Sequence, residues 1–240
     1  MAQERLDKLL AATGLYSRKE VKDLVRQGRV QADGKTVGKP EEKYDPEETV
    51  IRVDGSVVDC SPYVYIMMHK PGGLLSATRD NKQQTVLDLL PSHLKKRGLF
   101  PVGRLDKDTT GFLLLTDDGP LGHDLLSPKK HVSKVYWAKV DGKLEQEDVH
   151  ALARGMTLGD GLVCLPARLE ILEGADSCLL ELQEGKYHQV KRMLAARGKP
   201  VLQLKRLSMG GVELDANLQP GQWRFLTPEE KGRLRNPGGT

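Results

Sequence analysis

Within Gly103-Arg-Leu-Asp-Lys-Asp-Thr-Thr-Gly111, two carboxylates and two cations crowd into one short loop. Leu99–Val102 and Phe112–Leu115 flank it, and apolar runs of that length bounded by glycine read as buried strands. Loops at the rim of a rigid sheet are where reactive side chains sit. Leu105 separates Arg104 from Asp106, so one side of the loop packs and the other points into a cleft. A carboxylate there serves as a nucleophile or takes a proton. Asp and Gly also form ordinary turns, as in Asp117-Asp118-Gly119, and Asp108-Thr-Thr reads equally well as a solvated turn. On residue type alone the structural and chemical readings of the loop are evenly matched.

Two further segments carry suitable groups. Lys134-Val-Tyr136 lies in a strand pattern, and Glu184-Gly-Lys-Tyr-His-Gln-Val-Lys-Arg-Met193 runs into a basic helix. A cation beside a carboxylate favours its ionised form and orients it. Lys191 is suited to that as a point charge, with Arg192 adjacent as a substitute and phosphate contact as its alternative task. A tyrosine offers a flat ring and a hydroxyl for moving protons, although strand tyrosines are more often core.

The net charge of +4 is unevenly spread. Residues 1–39 carry nine Lys/Arg and five Asp/Glu, residues 40–59 carry two and seven, and residues 186–206 carry seven and none. Basic blocks separated by an acidic one orient a field towards a polyanion. The sequence is 38% hydrophobic and 29% charged over 240 residues, which describes a water-soluble chain of one large domain or a large one with an appendage. No run has the length of a membrane-spanning helix, and Met-Ala-Gln-Glu-Arg lacks the apolar region of a secretory signal. Cys60, Cys164 and Cys178 are scattered, as expected of reduced packing residues in a cytoplasmic protein. No Cys or His spacing implies a metal site.

Leu6, Leu9 and Leu10 repeat at helical spacing up to Gly14, and Ser17-Arg-Lys-Glu20 has the form of a capping box before a second helix ending at Gly28. Arg29–Ala32 and Lys35–Val37 flank Asp33-Gly34 as a hairpin. Cys60–Tyr63 reads as a linker, giving domains over 1–60 and 61–240. The larger domain is expected to contain strands at Val64–Met68, Val132–Val140, Cys164–Leu169, Leu179–Leu182, Val201–Leu204 and Gly211–Leu214. Lys70-Pro-Gly-Gly73 reverses the chain. Helices are expected at Thr85–Leu90, Pro120–Leu126, Glu145–Ala153, His188–Ala196 and Pro228–Arg235. Strands and helices mix without strict alternation, so the fold class is α+β rather than a doubly wound parallel sheet.

Taken in this order, the three motifs resemble the pseudouridine synthases, specifically the branch that modifies small-subunit and some large-subunit rRNA. The resemblance runs from about Tyr63 to Leu226, and the first sixty residues resemble the S4-type RNA-binding domain. It implies a small N-terminal S4-like module and a larger, mainly antiparallel sheet flanked by helices. It also implies Asp106 as the catalytic carboxylate, Tyr136 as the active-site tyrosine, Lys191 as the partner of the aspartate, and Arg104 as a residue that orders the loop or helps flip the base. His188 and Gln189 are expected to hold backbone or base, Leu182 to line the base pocket, and Arg192 to face RNA. Arg5, Lys8, Ser17, Arg18, Lys19, Arg26 and Arg29 are expected to contact RNA in the N-terminal module, reading shape more than sequence. Uridine isomerisation breaks N1–C1′ and rejoins the base through C5 without net oxidation, so no cofactor or metal is implied. The carboxylate attacks C1′ or C6, or takes a proton from the sugar. Asp108-Thr-Thr-Gly with Thr116-Asp-Asp-Gly is similar to the 16S rRNA enzymes, with a 23S rRNA enzyme as the alternative. A monomer acting on rRNA or an assembly particle, away from membranes, is expected.

Two rivals share these residues. Asp106-Lys-Asp108-Thr has the form DxDxT of magnesium-dependent phosphohydrolases, but Gly103-Arg104 interrupt the preceding strand and Asp117-Asp118 lie too near to complete the metal site. A non-catalytic rRNA-binding or assembly factor would use the same basic modules, with Asp106 in a structural ion pair.

Overall fold

The computed structural model describes residues 3–46 and 48–237. The chain divides into two compact units, one of residues up to Val64 with Leu90–Leu99, the other of Tyr65–Leu89 with the chain from Phe100 onward.

The first unit contains β1 (Glu4–Arg5), α1 (Leu6–Ala12), α2 (Arg18–Arg26), β2 (Val30–Ala32), β3 (Lys35–Thr36), β4 (Lys43–Tyr44), β5 (Ile51–Val53), β6 (Ser56–Val57) and α3 (Ser92–Lys95). Its sheet runs in the order β3-β2-β5-β6, with β1 and β4 paired separately. The Ser17 side chain accepts from Glu20 N at 3.2 Å while Glu20 accepts from Ser17 N at 2.6 Å, forming the capping box that starts α2. At the β2–β3 turn Asp33 (φ +48°) and Gly34 (φ +79°) both adopt left-handed backbone, which the Asp-Gly pair tolerates. Leu6, Leu10, Val21, Val25, Val30 and Ile51 form the core. Cys60 is buried in the same core rather than lying free in a linker.

The second unit contains β7 (Tyr65–Lys70), β8 (Phe100–Pro101), β9 (Thr110–Thr116), α4 (Gly119–Leu126), β10 (Lys134–Val140), α5 (Gln146–Ala153), β11 (Met156–Thr157), β12 (Val163–Cys164), β13 (Arg168–Ile171), β14 (Ser177–Leu182), α6 (Gln189–Ala196), β15 (Val201–Met209), β16 (Val212–Glu213), β17 (Trp223–Phe225) and α7 (Pro228–Arg235). Its main sheet follows the order β13-β14-β10-β15-β9-β7-β17, with β8 on β9 and β16 on β15. Only β15–β9 is parallel among these pairings, so the sheet is mixed and mainly antiparallel. Phe112–Leu115 is fully buried, as expected of a central strand covered on both faces.

Three local expectations need correction. The strand expected across Cys164–Leu169 is two, β12 and β13, because Pro166 interrupts the ladder. The strand expected to stop at Leu204 continues to Met209, carrying Arg206 into the interior. The helix expected over Thr85–Leu90 is a 3₁₀ turn, Val86–Leu89.

Candidate active site

The loop from Gly103 to Thr109 leaves β8 and enters β9 at the centre of the main sheet. β9 passes β15 so closely that a Cβ at Gly111 (φ +104°) would lie 2.1 Å from the Arg206 carbonyl oxygen. Only glycine fits there. Leu105 is buried, while Arg104 is exposed, so the loop has the expected packed and open sides.

Backbone contacts fix the loop. Ser76 Oγ donates to Leu105 O at 3.0 Å and accepts from Leu105 N at 3.2 Å, and Gly73 N donates to Lys107 O at 2.7 Å. The fully buried Lys70 ammonium donates to the carbonyls of Pro71, Lys107 and Thr109 at 3.0, 3.1 and 2.8 Å. Lys70-Pro-Gly-Gly73 is therefore more than a reversal, because its lysine ties the Gly103–Thr109 loop from beneath. Burial pushes the Lys70 pKa from 10.5 down to about 8, against the attraction of Asp108 and Asp106. Above that pH the folded chain releases a proton that the unfolded chain keeps, so this group adds stability as pH rises from about 8 towards 10.5. Lys70→Met leaves the carbonyls without their donor and is expected to destabilise by about 1–3 kcal/mol at pH 7. In urea melts the deficit should widen above pH 8, by at most about 1.4 kcal/mol per pH unit. A constant or narrowing deficit counts against the buried cation.

Asp106 extends from this loop with its side chain 21% exposed. Lys191 Nζ of α6 lies 3.0 Å from Asp106 Oδ2 and 2.6 Å from Asp108 Oδ1, and His188 Nε2 lies 3.2 Å from Asp106 Oδ1. Desolvation lowers the Lys191 pKa, but its hydrogen bonds to Asp108 and Asp106 outweigh it and the net shift is upward. The hydrogen bond from Lys191 holds the Asp108 carboxyl below its ordinary range. Both aspartates of the DxDxT pattern thus face one ammonium. Asp118 is engaged elsewhere, accepting from Tyr65 Oη at 2.6 Å and from Leu121 N at 3.0 Å to cap α4.

His188 caps α6 in a left-handed conformation (φ +50°), which turns its imidazole towards Asp106. The loop before it is held by Glu184, buried, which accepts from Leu165 N at 2.8 Å, Gln189 Nε2 at 2.6 Å and Lys186 Nζ at 2.9 Å. Gln189 Oε1 in turn accepts from Lys186 N at 3.0 Å. Gln189 therefore holds backbone. Arg192 points elsewhere and pairs with Asp160 at 2.5 Å, so it does not substitute for Lys191.

These groups rim a cavity of about 620 Å³ whose lining includes Arg104, Asp106, Tyr136, Leu182 and His188. Tyr136 is buried on β10 and its hydroxyl makes no hydrogen bond among the described residues. Sequence reasoning missed four lining or supporting residues: Tyr187, Arg206, Lys134 and Lys70. Tyr187 is 75% exposed and its ring stacks on His188, centroids 3.8 Å apart. An exposed tyrosine inside a basic motif was the available signal; the buried cations gave none.

In the first unit, most residues expected to meet RNA are engaged within the chain. Arg5 forks onto Asp7 at 3.0 and 2.9 Å, and Arg29 onto Asp54 at 2.7 and 2.6 Å. Lys8 pairs with Glu4, Arg26 with Asp23, and the Ser17 hydroxyl with its own helix. Arg18 and Lys19 are exposed and form no ion pair among the described residues.

The profile of the RNA pseudouridylate synthase family matches residues 64–196, and that of the S4 domain matches residues 4–50. An uncharacterized RNA pseudouridine synthase of Bacillus subtilis (strain 168) is 50% identical, covering 97% of this chain and 99% of its own. The ribosomal small subunit pseudouridine synthase A of Vibrio cholerae is 39% identical, covering 94% and 97%. The ribosomal large subunit pseudouridine synthase B of Bacillus subtilis is 36% identical, covering 97% and 96%. A crystal structure of a pseudouridylate synthase superposes with a TM-score of 0.68 at 35% identity, covering 96% of this chain and 99% of the other.

Proposed function

The chain belongs to the RNA pseudouridylate synthase family, and from that membership we propose that it isomerises one uridine of small-subunit (16S) rRNA, with Asp106 as the reacting carboxylate. The observation that carries this reading is the Asp106 carboxylate at the cavity rim, oriented by Lys191 and His188 on opposite oxygens. A nucleoside inside duplex RNA does not reach such a rim, so the target base leaves its stack, at a cost of about a few kcal/mol. Phosphate contacts offset that cost and fix register. Arg104, exposed at the mouth, is placed to enter the vacated stack or hold the flanking backbone. Tyr136 offers its ring to the extruded base. The reaction is an isomerisation without net oxidation, in which the C5 proton exchanges with solvent, so it calls for no cofactor.

The small-subunit choice is supported by the Asp108-Thr-Thr-Gly and Thr116-Asp-Asp-Gly segments and by the 39% and 40% identities to small-subunit enzymes. Incubation with 16S and 23S transcripts carrying 5-tritiated uridine tests it. One equivalent of tritium is expected from 16S and none from 23S. Release from 23S alone overturns the subunit choice, and release from neither overturns the activity.

Of the residues expected to meet RNA in the N-terminal module, Arg18 and Lys19 form no ion pair among the described residues, and they are its phosphate contacts in this reading. The double substitution Arg18→Glu, Lys19→Glu is expected to weaken rRNA binding and to reduce the slope of log affinity against log salt by about 2. Filter binding between low and moderate salt measures this, and an unchanged slope removes α2 from the interface.

A further inference from the structure

The wall of the cavity carries two cations that the chemistry above does not use. Tyr136 on β10 stands opposite Arg206 on β15, so both side chains leave the same face of the sheet, and Lys134, two residues earlier, shares it. Arg206 is 2% exposed, Lys134 is 5% exposed, and both line the cavity. Arg206 Nε donates to Phe112 O at 2.8 Å, but Nη2 is enclosed without an acceptor among the described residues. Lys134 Nζ donates to Val132 O at 2.7 Å, and burial, with the like charge of Arg206, pushes its pKa down to about 8. A buried guanidinium with an unfilled donor is costly unless a ligand completes it. Two adjacent cations in a water-poor wall form a site for negative charge.

We propose that Arg206, with Lys134 beside it, forms the electrophilic wall of the uracil site, donating to a carbonyl oxygen of the extruded base and holding the negative charge that the base acquires. This rests on the synthase reading. When N1–C1′ breaks, the bonding pair stays with the base, giving a uracil anion with charge spread onto O2 and O4. Asp106 meets the electron-deficient C1′, or C2′ gives up a proton to it. The base then uses a pair at C5 to form C5–C1′. The Asp106 bond breaks or the sugar proton returns, the C5 proton is lost, and N1 takes one up. If Asp106 adds at C6 instead, the displaced pair passes through C5 to O4. N1–C1′ then breaks with its pair on the base, and C5 bonds to C1′. Loss of the C5 proton expels the Asp106 carboxylate from C6 while N1 takes up a proton. In each route the carbonyl oxygens gain charge in the transition state, where a preorganised donor acts most strongly.

The test uses the full-length chain and the rRNA that the wild type turns over; a wild type without turnover would fail the synthase reading itself, separately from this one. Arg206→Met is expected to lower kcat about 10²–10³-fold with KM within about threefold. Arg206→Lys, which keeps the charge if the methionine variant does not fold, is expected to recover most of that loss. A readout independent of turnover is the binding of 5-nitrouracil, an anion at neutral pH, against neutral uracil. The wild type is expected to prefer the anion at least about tenfold, and Arg206→Met to lose that preference while binding uracil as before. A retained kcat, a loss in KM alone, or a wild type that does not prefer the anion overturns the proposal.

Discussion

Replacing Asp106 by asparagine is expected to lower the release of tritium from 5-tritiated uridine in rRNA by at least about 10⁴-fold, the scale seen when a nucleophile or its base is removed. The substitution is nearly isosteric: the amide oxygen keeps an acceptor towards Lys191, and the amide nitrogen takes the position that faces His188. The amide neither attacks carbon nor takes a proton at neutral pH, so the chemistry is removed while the shape stays. Lys191 keeps its contact to Asp108 at 2.6 Å, and no cation is stranded in the interior. Thermal stability should therefore change little, and rRNA affinity should stay within about threefold. The neighbouring carboxylate supplies the control. Asp108 has a side chain 75% exposed and contacts the same ammonium from outside, so Asp108→Asn should cost only about tenfold. Wild-type turnover in Asp106→Asn, or equal losses in the two variants, would remove Asp106 from the chemistry.

The parts of this arrangement that the sequence reveals are those governed by local rules. The Ser17–Glu20 capping box, the Asp33-Gly34 turn and most of the strand expected across Val132–Val140 each depend on neighbours within a few residues, and each is seen in the structure, the strand from Lys134 onward. Long β15 was read short because Lys205 and Arg206 look like surface, whereas strand pairing with β9 and β10 carries the Arg206 guanidinium into the interior. The burial of Lys70 and Lys134 is hidden for the same reason: a buried lysine is identified by the carbonyls around it, not by its own neighbours in sequence. Pairing at the edge of the sheet was also hidden, since β17 finds β7 across nearly the whole second unit. The choice between Lys191 and Arg192 lay beyond the sequence too. Consecutive helical residues point about 100° apart, and only the seating of α6 decides which one meets the loop.

Lys191→Met is the sharper test of how the carboxylate is prepared. The ammonium sits between Asp106 and Asp108, so its removal leaves two like charges on one loop with His188 as the remaining neighbour. Loss of a single preorganised charge of this kind is worth about 10²–10³ in kcat. The Asp108 carboxyl, now held below its ordinary range by Lys191, should return upward, visible by NMR titration of the side-chain carboxyl. The upward shift at Lys191 means that the pair is formed throughout the neutral range and is lost only as pH rises through the lysine's raised pKa, so the loss in the variant should be present at every pH from 6 to 9. Lys191→Arg keeps a cation but replaces a compact point charge by a broad fork, and should recover part of the rate. Were Lys191 only a phosphate contact, the methionine variant would instead raise KM, reduce the salt slope by about 1 and leave kcat unchanged, because an RNA contact made equally in ground and transition states does not alter the chemical step.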